Sequence, residues 1–191
     1  MTGFNCTYCG EYHDYLPLSY GVPAPIYWSE EMAKDKKSEL EQDICVINEE
    51  HFFIKGNVEI PVHDTGEIFA YTVWVSLSHE NFERVVKYWN DPKRVDEEPY
   101  FGWFSCQLPG YPDTLNLKTL VHTRELGIVP FIELEQTDHP LAIEQREGIT
   151  MERVKEIAEL NLHLVEANIN QSKKNSAATQ SIWKRLFKRP N

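Results

Sequence analysis

Two runs of alternating side chains constrain this chain more than anything else in it. Between His51 and Val62 the apolar residues Phe52, Ile54, Val58, Ile60 and Val62 share one parity, and Phe69, Tyr71, Val73, Val75 and Leu77 do the same further on. A period of two puts one face of each segment on a core and the other toward water. The intervening His63-Asp64-Thr65-Gly66 has turn chemistry, so the two segments are expected to pair as an antiparallel hairpin.

The other elements follow from caps and stripes. Ser29 with Glu30 and Glu31 reads as the N-cap and acidic first turn of a polar surface helix running to about Gln42. Ser78 caps a helix whose Phe82, Val85, Val86 and Trp89 form one stripe, and Asp91-Pro92 stops it. Strands are expected over Tyr100 to Leu108, Thr114 to Thr123 and Ile128 to Glu135, the last two joined through Glu125-Leu126-Gly127. Asp138 is placed to cap a short helix with Pro140 in its first turn. Thr150 is placed to cap a longer one with Val154, Ala158, Leu162, Val165 and Ile169 on its stripe.

Strands first and helices later predict an α+β fold: a mainly antiparallel sheet of five or six strands with helices packed on it and a small N-terminal Cys knuckle. The 191 residues fit one domain over 1–170, followed by a linker and a basic tail over 171–191. No glycine-rich phosphate loop occurs, which removes support for nucleotide-binding folds.

Charge and cysteine usage narrow the partners. Of a net charge of −11, residues 172–191 contribute six basic side chains and no acid, leaving −17 on the remainder. Such a body repels nucleic acid and anionic lipid, so an electrostatically attracted partner is expected to be a basic protein; solubility alone is the plainer reading. Met1 to Tyr12 lacks a basic start with an apolar run, and no stretch is long and apolar enough to span a bilayer, so a cytoplasmic setting is expected. Four cysteines, unevenly spaced, suit thiols or metal ligands in a reducing compartment better than a disulfide scaffold.

The most specific local motif is Cys6-Thr7-Tyr8-Cys9-Gly10 with His13 beyond it. Two thiolates separated by two residues bind one zinc, and Gly10 lets the turn tighten. This is half of a zinc knuckle. A four-ligand structural zinc site would draw on Cys6, Cys9, His13 and a distant group such as Cys45; the alternative is a pair of ordinary thiols. A redox dithiol normally opens a helix, and Gly21, Pro23 and Pro25 argue against a long helix here.

Two further groups invite a functional reading. In Thr137-Asp138-His139-Pro140, His139 could serve as a general base held by Asp138, with Asp138 as a simple helix cap the plainer reading. Glu144, Glu147 and His122 join such a site only if the fold gathers them. In the aromatic block Tyr100-Phe101-Gly102-Trp103-Phe104, the set Tyr100, Phe104 and Leu108 is expected to face the core. Phe101 and Trp103 are then left to a covering helix, a pocket or a partner, with a helix preferred and an exposed Trp103 marking a binding site. The tail places Ile182, Trp183, Leu186 and Phe187 on one helical face and Lys184, Arg185, Lys188 and Arg189 on the other. Trp183 and Phe187 are its candidate contacts with the acidic body or a partner; an anionic membrane is a third candidate surface for peripheral contact, disfavoured by the acidic body.

Together the Cys6-x-x-Cys9-Gly10 start with His13, Cys45-Val46-Ile47, Phe52-Phe53-Ile54-Lys55-Gly56, Glu59-Ile60-Pro61-Val62, Trp74-Val75-Ser76-Leu77-Ser78, Tyr100-Phe101-Gly102-Trp103, Leu108-Pro109-Gly110-Tyr111-Pro112 and Asp138-His139-Pro140-Leu141-Ala142 resemble an uncharacterised bacterial family, the domain of unknown function DUF2199. The likeness runs from residue 4 to about 160 and implies a bacterial origin without an activity. The functional expectation is therefore a non-enzymatic protein-binding module, immunity-like or regulatory, with a structural zinc. The alternative is a small enzyme using His139 with Asp138, or a zinc with an open position.

Overall fold

The structure, a computed structural model, describes residues 3–163. The tail with Trp183 and Phe187, and the end of the expected last helix at Val165 and Ile169, lie outside the described residues. The chain divides into two compact units, one within Met1–Leu16 and Lys155–Asn191, the other Pro17–Val154.

In the first unit, β1 (Phe4–Asn5) and β2 (Tyr12–His13) form a small antiparallel ladder with Phe4 opposite His13. The turn between them closes through Gly10 N donating to Cys6 O at 3.0 Å and Cys6 N donating to Glu11 O at 2.9 Å. Gly10 has φ 74°, a left-handed backbone that glycine adopts without steric cost.

The second unit runs through β3 (Ser19–Gly21), β4 (Glu39–Leu40), β5 (Ile44–Ile47), β6 (His51–Pro61) and β7 (Ile68–Leu77) to α1 (His79–Lys87). Then come β8 (Tyr100–Phe104), β9 (Lys118–His122), β10 (Phe131–Leu134) and α2 (Pro140–Glu147). The expected hairpin is present: β6 and β7 pair antiparallel from Phe52 opposite Leu77 to Pro61 opposite Ile68, and Gly66 takes φ 71° in the turn. Ile54, Val58, Ile60, Phe69, Tyr71, Val73 and Val75 are all 1% exposed or less, so the alternation does face a core. Fully burying such a side chain contributes roughly 1.5–3 kcal/mol.

The sheet is not the open antiparallel layer expected. Strands β6, β7, β8, β9 and β10 form a closed five-stranded barrel, because β10 returns to β6 in a parallel pairing at Phe131 opposite Asn57. Asn57 N donates to Pro130 O at 2.8 Å across that closure. Strand β3 lies parallel to β7, while β5 and β4 extend from the other edge of β6. Closure depends on glycine: a Cβ at Gly56 would stand 2.4 Å from Ile132 Cδ1, and one at Gly102 would stand 2.4 Å from Val75 Cγ1. Side-chain period reports which face is buried and carries no record of where a sheet's edges meet.

Helix α1 begins as expected, with Ser78 Oγ accepting from Asn81 N, and buries Phe82 and Val85. The helix expected from Ser29 to Gln42 is absent: that stretch holds a short 3-10 turn at Met32–Lys34 and then β4. Its first-turn acids had no apolar stripe behind them to bury, and propensity alone does not hold a short helix. At α2 the cap is His139, whose Nδ1 accepts from Leu141 N at 3.2 Å, in place of the expected Asp138. Residues 151–163 are helical, with Thr150 Oγ1 accepting from Arg153 N at 3.3 Å as the cap.

Among the described residues, no helix covers Phe101 and Trp103. On β8 the strand alternation buries Tyr100, Gly102 and Phe104 and leaves Phe101 and Trp103 45% and 41% exposed, in edge-to-face contact at 5.1 Å. Among the described residues, no helix is long and apolar enough to cross a membrane.

Candidate metal centre

The knuckle and the helical residues 155–163 bring three metal-ligating side chains together inside the first unit. Cys6 Sγ lies 3.1 Å from His163 Nε2, and the ligand atoms of Cys6, Cys9 and His163 all fall within 4.8 Å of one another. Among the described residues this is the group with that geometry. Two sulfurs and an imidazole make a soft-to-borderline donor set, the chemistry that suits zinc rather than calcium or magnesium.

Neighbours hold each ligand in place. Tyr8 stacks on the His163 ring with centroids 5.0 Å apart and planes inclined by 21°. Glu159, one helical turn before His163 and therefore on the same face, takes both donors of Thr7: the backbone N at 2.6 Å and Oγ1 at 2.5 Å. Burial would raise the Glu159 carboxyl, but the two Thr7 hydrogen bonds outweigh it and hold the group below the usual range. A carboxylate 7% exposed is thus fully engaged by the residue beside Cys6.

Cys6 itself is poised as a thiolate. Burial opposes ionisation, yet hydrogen bonds from the backbone of Cys9 and from His163, with Tyr8 and the Cys9 side chain adding to them, bring it down to about 6. Cys9 moves upward: a backbone hydrogen bond at Glu11 favours its thiolate, and burial together with neighbouring Cys6 outweighs that.

Of the residues that sequence placed in one site, Cys6 and Cys9 belong to the three-membered group. His13 Nε2 lies 3.5 Å from Cys9 Sγ, beside the three-membered group, with its ring stacked on Phe4 at 5.1 Å. Cys45 is not one of the three: it sits in β5 opposite Phe53, 1% exposed, and burial pushes its thiol up to about 12. Cys106 is equally enclosed, accepting from Trp74 N at 3.1 Å, and burial raises it to about 12 against that bond.

His139 uses Nδ1 to cap α2, accepting from Leu141 N. Glu144 is engaged elsewhere, by Arg153 Nε at 2.9 Å and by the Tyr111 hydroxyl, and His122 pairs with Glu133 at 2.7 Å. Glu147 pairs with neighbouring Arg146 at 3.0 Å.

Sequence reasoning missed His163 and Glu159. The available signal was their i,i+4 spacing, which puts an imidazole and a carboxylate on one helical face. What was invisible was the partner of that face, 157 residues away from His163 at Cys6.

Comparison with known proteins adds a family and no activity. A family model described as an uncharacterized protein conserved in bacteria (DUF2199) matches residues 5–149. No curated protein and no solved structure matches the chain.

Proposed function

The chain belongs to that uncharacterised bacterial family, DUF2199, and we propose that it is a non-enzymatic protein-binding module with a zinc clasp at Cys6, Cys9 and His163. The observation that carries this reading is the exposed pair Phe101 and Trp103, with Leu120 opposite Phe101 on β9 and 40% exposed. Large aromatics turned to water on a rigid barrel are what interface anchors look like, and a side chain locked in a strand loses little entropy on binding. Beside them, Phe101 and Leu120 share a hollow of about 300 Å3 with Glu133 and Glu135. Lys118 lines the same hollow and pairs with Glu135 at 3.3 Å, so it is the chain's net charge of −11 that favours a basic protein partner.

The zinc is structural in this reading, joining the knuckle to the helix that carries His163, with His13 as the fourth ligand because it already adjoins Cys9 Sγ. The second reading, a zinc with an open position, draws on the same set having three members. Cobalt-substituted protein separates them: a spectrum changed by His13→Ala supports the clasp, whereas one unmoved by His13→Ala and shifted by added azide supports the open site.

The binding role is tested by affinity capture with wild type and a Phe101→Asp, Trp103→Asp double variant, each checked for zinc content and cooperative melting. A basic protein held by wild type, lost with the variant and weakened at high salt supports the module. Equal capture by both proteins removes the patch as its surface.

A further inference from the structure

Arg94 lies in the 3-10 turn Pro92–Asp96 and is 3% exposed. Its Nη1 donates to Trp89 O at 2.9 Å, and its guanidinium carbon stands 4.9 Å from the centroid of the Trp89 ring. Nε and Nη2 are buried and meet no acceptor among the described residues. A guanidinium shut away from water with two unanswered donors is unfavourable, and burial lowers the Arg94 pKa accordingly. Folds retain such a group where something else answers it.

The identity of the unanswered donors is informative. Nε and Nη2 are the two that Arg84 gives to the carboxylate of Glu97, Nη2 to Oε1 at 3.1 Å and Nε to Oε2. In Arg94 the same fork is empty. Arg94 also lines a cavity of about 340 Å3 with Asp43, Trp89, Leu126, Ile128 and Pro130 among its walls. That volume lies at the small end of ligand pockets, and apolar walls around a few polar groups are their usual make-up.

We propose that Arg94 anchors a binding site for a carboxylic acid with an apolar body: the carboxylate takes the Nε/Nη2 fork, and the body lies against Trp89, Leu126, Ile128 and Pro130. One guanidinium matches one negative charge, and Asp43 in the wall disfavours a doubly charged phosphate. Both nitrogens are closed to solvent in the free protein, so binding requires the cavity wall over them to shift. Leu126 and Ile128 in the cavity wall are 47% and 46% exposed and flank Gly127 at φ 81°. The site is independent of the Phe101 and Trp103 patch and of the zinc clasp.

The test uses the full chain with phenylacetate and indole-3-acetate as free acids, phenylacetamide as the uncharged isostere, inorganic phosphate, and a short peptide ending in Phe as acid and as amide. Calorimetry should show saturable binding of the acids and none of the amides or phosphate. The melting temperature should rise by roughly 5–10 °C at a ligand concentration a hundredfold above Kd. A peptide acid that binds more tightly than the free acids identifies a protein C-terminus as the source of the carboxylate; the reverse order identifies a small metabolite. Arg94→Met should abolish binding while leaving the unliganded melting temperature equal to or above wild type, since an unanswered buried charge is gone. Arg94→Lys keeps charge without the fork and should weaken binding about tenfold or more. The proposal is overturned if acid and amide bind alike, if no acid binds below about 10 mM, or if Arg94→Lys binds as wild type does.

Discussion

Replacing Gly56 by Ala places one methyl group where the barrel closes. Its Cβ would stand 2.4 Å from Ile132 Cδ1, 2.6 Å from Ile132 Cγ1 and 2.9 Å from Pro130 O. Ile132 is 0% exposed and has no room to turn aside, and Pro130 O is the acceptor of the closing hydrogen bond from Asn57 N. Overpacking of this kind costs typically 1–3 kcal/mol, and the smaller chain entropy of unfolded Ala returns about 0.4–1 kcal/mol. With a backbone oxygen among the clashing atoms, the upper part of that range applies, and we expect a net loss of about 2 kcal/mol. For a chain of this size that lowers the melting temperature by roughly 4–8 °C. Urea unfolding followed by tryptophan emission and near-ultraviolet circular dichroism gives the number, with an unchanged slope showing that the denatured state is the same.

Two controls make the result specific. Gly127→Ala, at φ 81° with nothing within 4 Å of its Cβ, carries the left-handed penalty alone and should cost about 1 kcal/mol. Ile132→Ala removes the two nearest clashing atoms and leaves Pro130 O, so combined with Gly56→Ala it should lose at least about 1 kcal/mol less than the sum of the single variants. If Gly56→Ala costs less than Gly127→Ala, or if the double variant is additive, the close approach of β6 to β10 does not limit the barrel and the reasoning fails.

Other consequences can be checked independently. Protein prepared without chelator should carry about one zinc per chain, lost in a Cys6→Ser, Cys9→Ser double variant, weakened in His163→Ala and retained in Cys45→Ser, as read by metal analysis. Native protein stripped of metal should be alkylated first at exposed Cys9, with buried Cys45 and Cys106 protected until unfolding, as read by mass spectrometry. Cys106, raised to about 12 when folded against about 8.5 when unfolded, retains its proton longer in the native state. Its contribution is therefore complete below about pH 8.5 and falls by about 1.4 kcal/mol per pH unit from there toward pH 12; Cys106→Ala should flatten that alkaline slope in urea unfolding. Glu159→Gln should loosen the knuckle by about 1–3 kcal/mol of local stability, seen as faster hydrogen exchange at Thr7 N while the amides of β6 and β7 stay protected.

Local pattern determined a good part of this protein. Alternation set β6 and β7 and their register-bearing turn, Ser78 and Thr150 announced two helix starts, and Cys6-x-x-Cys9-Gly10 announced a turn whose two thiols join a group that could hold a metal. Each of these depends on residues within a few positions of one another, where side-chain period and capping chemistry act. Tertiary structure decided the rest. Two short approaches, Asn57 to Phe131 and Gly56 to Ile132, turned a sheet into a barrel. An imidazole 157 residues from Cys6 supplied the third member of that candidate group, and Cys45, with the right chemistry, was sealed into β5. Phe101 and Trp103 were legible as one face of a strand, but whether a helix or water would cover them depended on where α1 and α2 packed. Such outcomes rest on contacts between distant segments, whose closure the chain pays in entropy and recovers only once the whole fold is assembled.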